Sequence, residues 1–149
     1  DAIIEAGIER VVCARRDPNP VSLGGAERLA AAGIACEFTD VSANALRVGE
    51  RMLSGLRPLM AECEVVGDVR GSGLFLGVEL VRDRHTLAPA AEEASFVVDR
   101  MRHRGVLVGT DGPHHNVIKI RGPMPLSLAD ADRVVETLAR ALRELPARR

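Results

Sequence analysis

Three times in this chain a helix-compatible run ends on glycine and passes at once to a β-branched residue: Ala6-Gly7-Ile8, Ala32-Gly33-Ile34 and Gly105-Val106. Glycine suits the left-handed position just past a helix, and a β-branched residue suits the start of a strand. A chain that repeats this junction alternates helices with strands. Ile8–Ala14 and Ile34–Phe38 read as strands, Gly24–Ala32 as a short helix, and Arg15–Leu23, with Pro18 and Pro20, as a loop. Two strands joined through a helix pair in parallel, which makes the first part of the chain a βαβ piece.

From Ser42 the pattern changes. Leu46, Gly49, Leu53, Leu56 and Met60 recur at three- and four-residue steps, the signature of one amphipathic helix of about five turns. Val65–Arg70 and Leu74–Val81 read as the strands of an antiparallel hairpin turned at Gly71-Ser72-Gly73. A second helix is expected from Pro89, with Glu92 and Glu93 in its first turn and a stripe of Ala94, Val97, Val98 and Met101. Val106–Val108 reads as a strand, Thr110–Asn116 as a loop and Val117–Arg121 as a strand. Ser127 and Asp130 form a capping pair for a last helix with the stripe Leu128, Ala131, Val135, Leu138, Leu142 and Leu145. The expected fold class is α/β (α+β): an N-terminal βαβ piece, then an α-β-β-α-β-β-α domain with a mainly antiparallel sheet. The boundary falls at Thr39–Ala43, giving regions 1–40 and 41–149.

Composition limits the function. The 149 residues are 46% apolar and 28% charged, ordinary globular values, and no apolar run approaches the ~20 residues of a membrane span. A net charge of −1, no Trp or Tyr and three Phe argue against nucleic-acid or membrane partners. Three cysteines, Cys13, Cys36 and Cys63, lack C-x-x-C spacing, so neither a disulfide framework nor a zinc knuckle is expected, and a reducing, cytoplasmic setting fits. The chain opens on Asp1 inside a helical run without an initiator methionine, the expectation for a fragment.

Four constellations bear on chemistry. Gly67, Gly71, Gly73 and Gly77 precede a strand, whereas a phosphate-cradling loop precedes a helix, so they read as hairpin glycines. His114 and His115 with Asp111 are adjacent on a loop, without the i, i+4 spacing of a helical zinc motif. Lys119 is the only lysine among 20 basic residues, and it alternates with apolar neighbours on a strand, where a solvated face is the ordinary explanation and a Schiff base is not expected. Arg121 ends a strand before Gly122-Pro123, which presents its guanidinium at a sheet edge; a carboxylate or phosphate contact and a surface salt bridge are the alternatives.

Two resemblances follow from longer runs. The text DAIIEAGIERVVCARRDPNP followed by GGAERLAAAGI, residues 1–40, resembles the end of the deaminase domain of the bifunctional riboflavin-biosynthesis deaminase/reductase, a cytidine-deaminase-like fold. The text ANALRVGERML, VVGDVRGSGLFLGVELVRDR and GTDGPHHNVIKIRGPMPLS, within Ser42 to the C-terminus, resembles the C-terminal small domain of class III pyridoxal-phosphate aminotransferases, in the subgroup that includes phospholyases of amino-alcohol phosphates. Asn19-Pro20-Val21-Ser22 echoes a short aminotransferase motif that its neighbours do not continue.

What these resemblances imply is limited. In the aminotransferase family the arginine of an I-R-P-P motif contacts the substrate carboxylate; Arg121 occupies that place, and Gly122 stands where the first proline is usual, implying a looser local backbone. Pyridoxal phosphate is the cofactor of the intact family and none is expected for this chain alone, because the family's cofactor lysine belongs to its large domain. The deaminase's H-x-E and P-C…C zinc set is likewise outside the matched text. No catalytic residue and no metal ligand is therefore assigned. The expected partners are a small amino compound and a second copy of the chain, in a homodimer formed through the N-terminal strands or the Leu46–Met60 helix. Three functions stay open: a fragment of a class III aminotransferase, a fragment of a pyrimidine deaminase, or a non-catalytic chimera.

Overall fold

The computed structural model describes residues 2–13, 24–38 and 41–146. The chain divides into two compact units, Asp1–Ser42 and Ala43–Arg149.

The first unit contains α1 (Ala2–Glu5), β1 (Arg10–Cys13), α2 (Gly25–Ala31) and β2 (Ala35–Phe38). The two strands pair in parallel, from Arg10 opposite Ala35 to Cys13 opposite Phe38. The loop expected at Arg15–Leu23, and with it the D-P-N-P run, lies outside the described residues. At the end of α2, Gly33 takes φ 80° and its N–H donates to the Ala30 carbonyl. The Ile34 N–H reaches back to the Leu29 carbonyl, and Leu29 and Ile34 are both buried. This is a Schellman end, in which the β-branched residue closes the helix with both a hydrogen bond and an apolar contact.

The second unit follows with α3 (Val41–Leu56), α4 (Leu59–Glu62), β3 (Val66–Ser72), β4 (Phe75–Asp83), β5 (Ala88–Pro89), α5 (Ala91–His103), β6 (Gly109–Asp111), β7 (Val117–Arg121) and α6 (Leu128–Arg143). The strands form one antiparallel sheet in the order β3-β4-β7-β6, with β5 also on β4. Leu76, Val78 and Leu80 of β4 and Ile118 and Ile120 of β7 point into the core with Val48, Met52, Met101 and Leu138 from the helices. The alternate residues, Phe75, Gly77 and Glu79 with Val117, Lys119 and Arg121, belong to the other face, as a two-residue side-chain period requires.

Several boundaries differ from expectation. The helix expected over Leu46–Met60 is two helices, because Pro58 has no N–H to continue the ladder. Its buried stripe is Ala45, Val48, Met52, Leu53 and Leu56, while Leu46 is 62% exposed. The hairpin turns on Gly73 and Leu74, since Ser72 pairs with Phe75; Gly71 and Ser72 are still strand. Pro89 lies in the edge strand β5 rather than in a helix, a position where its missing N–H costs no ladder bond.

The third junction repeats the Schellman end: Gly105, at φ 76°, donates to Arg102 and the Val106 N–H donates to Met101, with both Met101 and Val106 buried. Val106 is thus spent on closing α5. The strand expected over Val106–Val108 forms instead at Gly109–Asp111, the stretch that lies opposite Val117–Lys119. The last helix carries the full reciprocal capping box: Ser127 Oγ accepts from the Asp130 N–H and the Asp130 carboxylate accepts from the Ser127 N–H.

Candidate functional site

Strand β7 brings the sheet's outward cations into a short row with their neighbours. Lys119 Nζ is 2.8 Å from Asp111 on β6. That bond, with the N–H of Gly112, holds the Asp111 carboxyl below the usual carboxylate range. Arg70 on β3 is bracketed by Asp68 and Glu79, each at 2.6 Å. Arg70, Lys119 and Asp111, with Phe75, Gly77 and Val117, line an open hollow of about 430 Å³. Its two cations are therefore already matched by carboxylates.

Arg121, at the end of the same strand, is exposed, and its side chain makes no hydrogen bond or ion pair with any other described residue. It lines a second hollow of about 220 Å³ together with Val106, Leu107 and Leu126 and two further charged residues, Asp130 and Arg133. A guanidinium with no carboxylate partner among the described residues can bind a planar anion through two parallel N–H bonds.

One backbone hydrogen bond ties the residue after Arg121 to the hairpin turn. The Gly122 N–H donates to the Leu74 carbonyl at 3.2 Å, a bond that a proline there could not make. Asn44, on α3, was not singled out from the sequence. Its side-chain amide donates to the carbonyls of Met124 and Leu126, both at 3.0 Å. The contact spans about 80 positions of chain, so no local pattern could have revealed it.

The other candidates do not converge on a site. His114 and His115 are exposed on the loop after β6, and Asp111 is engaged by Lys119. Among the described residues, no three His, Cys, Asp or Glu side chains are grouped to hold a metal ion. Cys36 and Cys63 are free and half-buried, and burial, followed by the nearby Glu62 charge, pushes the Cys63 thiol up. The glycines Gly67, Gly71 and Gly77 lie within β3 and β4, and Gly73 lies in the turn between them.

Comparison with known proteins identifies the fold that carries this corner. The model of the class-III aminotransferase family matches residues 29–142, and the chain belongs to that family. It is 39% identical, over 78% of its length, to the mitochondrial alanine–glyoxylate aminotransferase 2 homolog 2 of Arabidopsis thaliana. It is 43% identical, over 70% of its length, to the taurine–pyruvate aminotransferase of Rhodobacter capsulatus. Among solved structures it is similar to a phospholyase from Arthrobacter in complex with phosphoethanolamine, at TM-score 0.68 and 34% identity over 72% of this chain and 25% of that one. It is also similar to the PLP-bound form of an amine transaminase from an uncultivated Pseudomonas species, at TM-score 0.65 and 35% identity over 72% of this chain and 24% of that one. The chain spans 25% of the Arabidopsis relative and 24% of the Rhodobacter one.

Class-III aminotransferases depend on pyridoxal phosphate, so the residues present can be tested against it. Lys119 is the only lysine. Its ammonium is ion-paired with Asp111 on an open sheet face, whereas a cofactor-anchoring lysine needs a desolvated pocket that lowers its pKa. The lysine of this chain does not fit the role of cofactor anchor.

Proposed function

We propose that this chain serves as the small domain of a pyridoxal-phosphate enzyme of the class-III aminotransferase family, and that Arg121 receives the carboxylate of a small amino- or oxo-acid substrate. The observation that carries the reading is the guanidinium of Arg121, which has no carboxylate partner among the described residues, beside a sheet whose outward cations Arg70 and Lys119 are neutralised. In this reading the small domain supplies substrate orientation, and the cofactor is held by the large domain. The chain alone carries no activity.

The test is a graft. Residues 43–149 replace the corresponding part of the Rhodobacter taurine–pyruvate aminotransferase, and kinetics are measured with Arg121 and with Arg121→Lys. Losing a bidentate charge-assisted contact should lower kcat/KM for pyruvate about tenfold or more, mainly through KM. An unchanged KM for pyruvate in an active graft would show that Arg121 does not hold the carboxylate.

Within the family, the phospholyase-like subgroup is favoured by the similarity to the Arthrobacter phospholyase and to an ethanolamine-phosphate phospho-lyase homolog of Caenorhabditis elegans, 40% identical over 79 residues. An arginine suits a phosphate as well as a carboxylate. A graft into the phospholyase, assayed for phosphate release from phosphoethanolamine, tests this finer reading.

Two further readings belong to the first unit. The D-P-N-P run and the parallel β1–β2 pair support descent from a riboflavin-pathway deaminase for that part of residues 1–40 that precedes the family match at residue 29. Sequencing the coding region upstream of Asp1 tests it, an H-x-E and P-C…C set being the expected result. Ile3, Ile4 and Ile8 are 37%, 39% and 42% exposed, which supports association as a homodimer. Light scattering across a concentration series should show a dimer; a monomer at every concentration would refute it.

A further inference from the structure

We infer that Asn44 is a positioning residue for Arg121, an inference that rests on the reading of Arg121 as the anion contact. The chain leaves β7 at Arg121 and turns through Gly122, Pro123 and Met124 before α6 begins at Leu128. The hydrogen bonds that hold this turn are few. Gly122 donates to Leu74, Leu126 donates to Pro123 at 3.0 Å, and the carbonyls of Met124 and Leu126 are both held by the Asn44 amide. One side chain therefore ties down the two carbonyls that flank Pro125.

The orientation of Asn44 is itself set. Its oxygen accepts from Arg47 Nη2 at 3.0 Å, one helical turn further along α3, so its nitrogen is the end that faces the carbonyls. The effect reaches Arg121 through packing. A side chain on Gly122 would come within 2.9 Å of Leu126 Cδ2, so Leu126 already lies against the residue that follows Arg121. Releasing the Leu126 carbonyl frees the segment that sets the direction in which β7 presents its guanidinium. Near-attack geometry in a bidentate contact tolerates little such drift.

The experiment uses the 149-residue chain and acetate as the probe carboxylate. Acetate is titrated while the Arg121 Nε–H resonance, assigned by its loss in Arg121→Lys, is followed in proton–nitrogen spectra together with the backbone amides of Arg121 and Gly122. In Asn44→Ala these amides should broaden or double without ligand, and acetate should bind roughly fivefold more weakly, as the loss of about one hydrogen bond implies. Asn44→Asp keeps the shape and the Arg47 contact but turns a donor into an acceptor facing two carbonyls, so it should behave like Asn44→Ala. If Asn44 only filled space, Asn44→Asp would be neutral and the proposal would be overturned. Leu145→Ala, a half-buried change in a separate hollow with Cys63, controls for general destabilisation and should leave acetate binding unchanged. Equal loss in Leu145→Ala also overturns the proposal. Should the Arg121 resonance of the unsubstituted chain ignore acetate, the anion reading fails; sharp, unmoved Arg121 and Gly122 amides in Asn44→Ala would then sink the positioning role as well, and broadened ones would sustain it.

Discussion

Gly49 lies where α3 passes over the tip of the β3–β4 hairpin. A Cβ there would fall 2.0 Å from the Gly73 carbonyl oxygen, an approach between two backbones that no rotamer change can relieve. The contact matters for the candidate site because Leu74, next in the turn, accepts the Gly122 N–H and so supports the Arg121 corner. Gly49→Ala is expected to lower stability by about 3 kcal/mol, at the upper end of overpacking changes, despite alanine's better helix propensity. Gly109→Ala, where a Cβ would meet nothing within 4 Å, should be close to neutral or mildly stabilising. Thermal or urea unfolding of the two variants measures the contrast. The sequence placed Gly49 in a helix with an apolar stripe, yet it carried no sign that a hairpin tip from about two dozen positions away would occupy the space above it.

At the scale of elements, α6 is the helix whose limits were most readable, since its capping pair and its stripe are both local. Ser127→Ala removes one half of the box and should cost about 1 kcal/mol. The Asp130 carboxyl is held below the usual carboxylate range, first by the Ser127 hydroxyl and then by its N–H. A depressed folded pKa contributes stability above the unfolded value, near 3.9, and that contribution is lost as pH falls through the folded value. Asp83, Asp99, Asp111 and Asp132 are shifted the same way, by hydrogen bonds from Thr86, Arg102, Lys119 and Arg51 respectively. The melting temperature should therefore fall as pH drops below about 4, and Asp130→Asn should shrink that fall. A melting temperature flat from neutral pH down to the range where all carboxyls are protonated would contradict this account. By contrast α3 was misjudged at both its stripe and its end, because the three- and four-step spacing of Leu46, Leu53 and Met60 passes through Pro58 unbroken on paper while the proline stops the hydrogen-bond ladder.

Across the molecule, burial is unequal between the two units, each taken by itself. The second unit has a connected core in which Val48, Met52, Leu80, Met101, Ile118 and Leu138 have less than 2% of their surface exposed. The first has Leu29 and Ile34 as its buried apolar residues among those described. Stability measured locally follows the density of buried contacts. Amide hydrogen exchange should be slowest at Val78, Leu80, Ile118 and Ile120 in the β4–β7 pair and faster by orders of magnitude at Val11 and Cys36 in the β1–β2 pair. Equal protection in the two sheets would mean that something other than the first unit's own core holds its strands. The exposed Arg10–Glu37 bridge across β1 and β2, at 2.9 Å, adds little to their pairing.

What the sequence determined by itself is what depends on neighbours within a few residues. Glycine followed by a β-branched residue set the Schellman ends at Gly33 and Gly105, because both the left-handed backbone and the apolar contact back to Leu29 or Met101 lie within six residues. Alternation in β4 and β7 assigned Ile118 and Ile120 to the core and Lys119 and Arg121 to the open face. Long motif matches supplied the family. The tertiary structure alone decided the rest. Lys119 and Arg121 look equivalent along the strand, but among the described residues Lys119 alone of the two reaches a carboxylate, because β6 pairs Asp111 with Val117, diagonal to Lys119. Arg121 runs past the end of β6 and has no carboxylate partner among the described residues, with Phe75 as its neighbour on β4. Its corner is held by an asparagine and a leucine carbonyl from distant parts of the chain. Charge pairing and hydrogen bonding act over a few ångströms of space, and which residues share that space is set by strand register and helix placement, not by their separation along the chain.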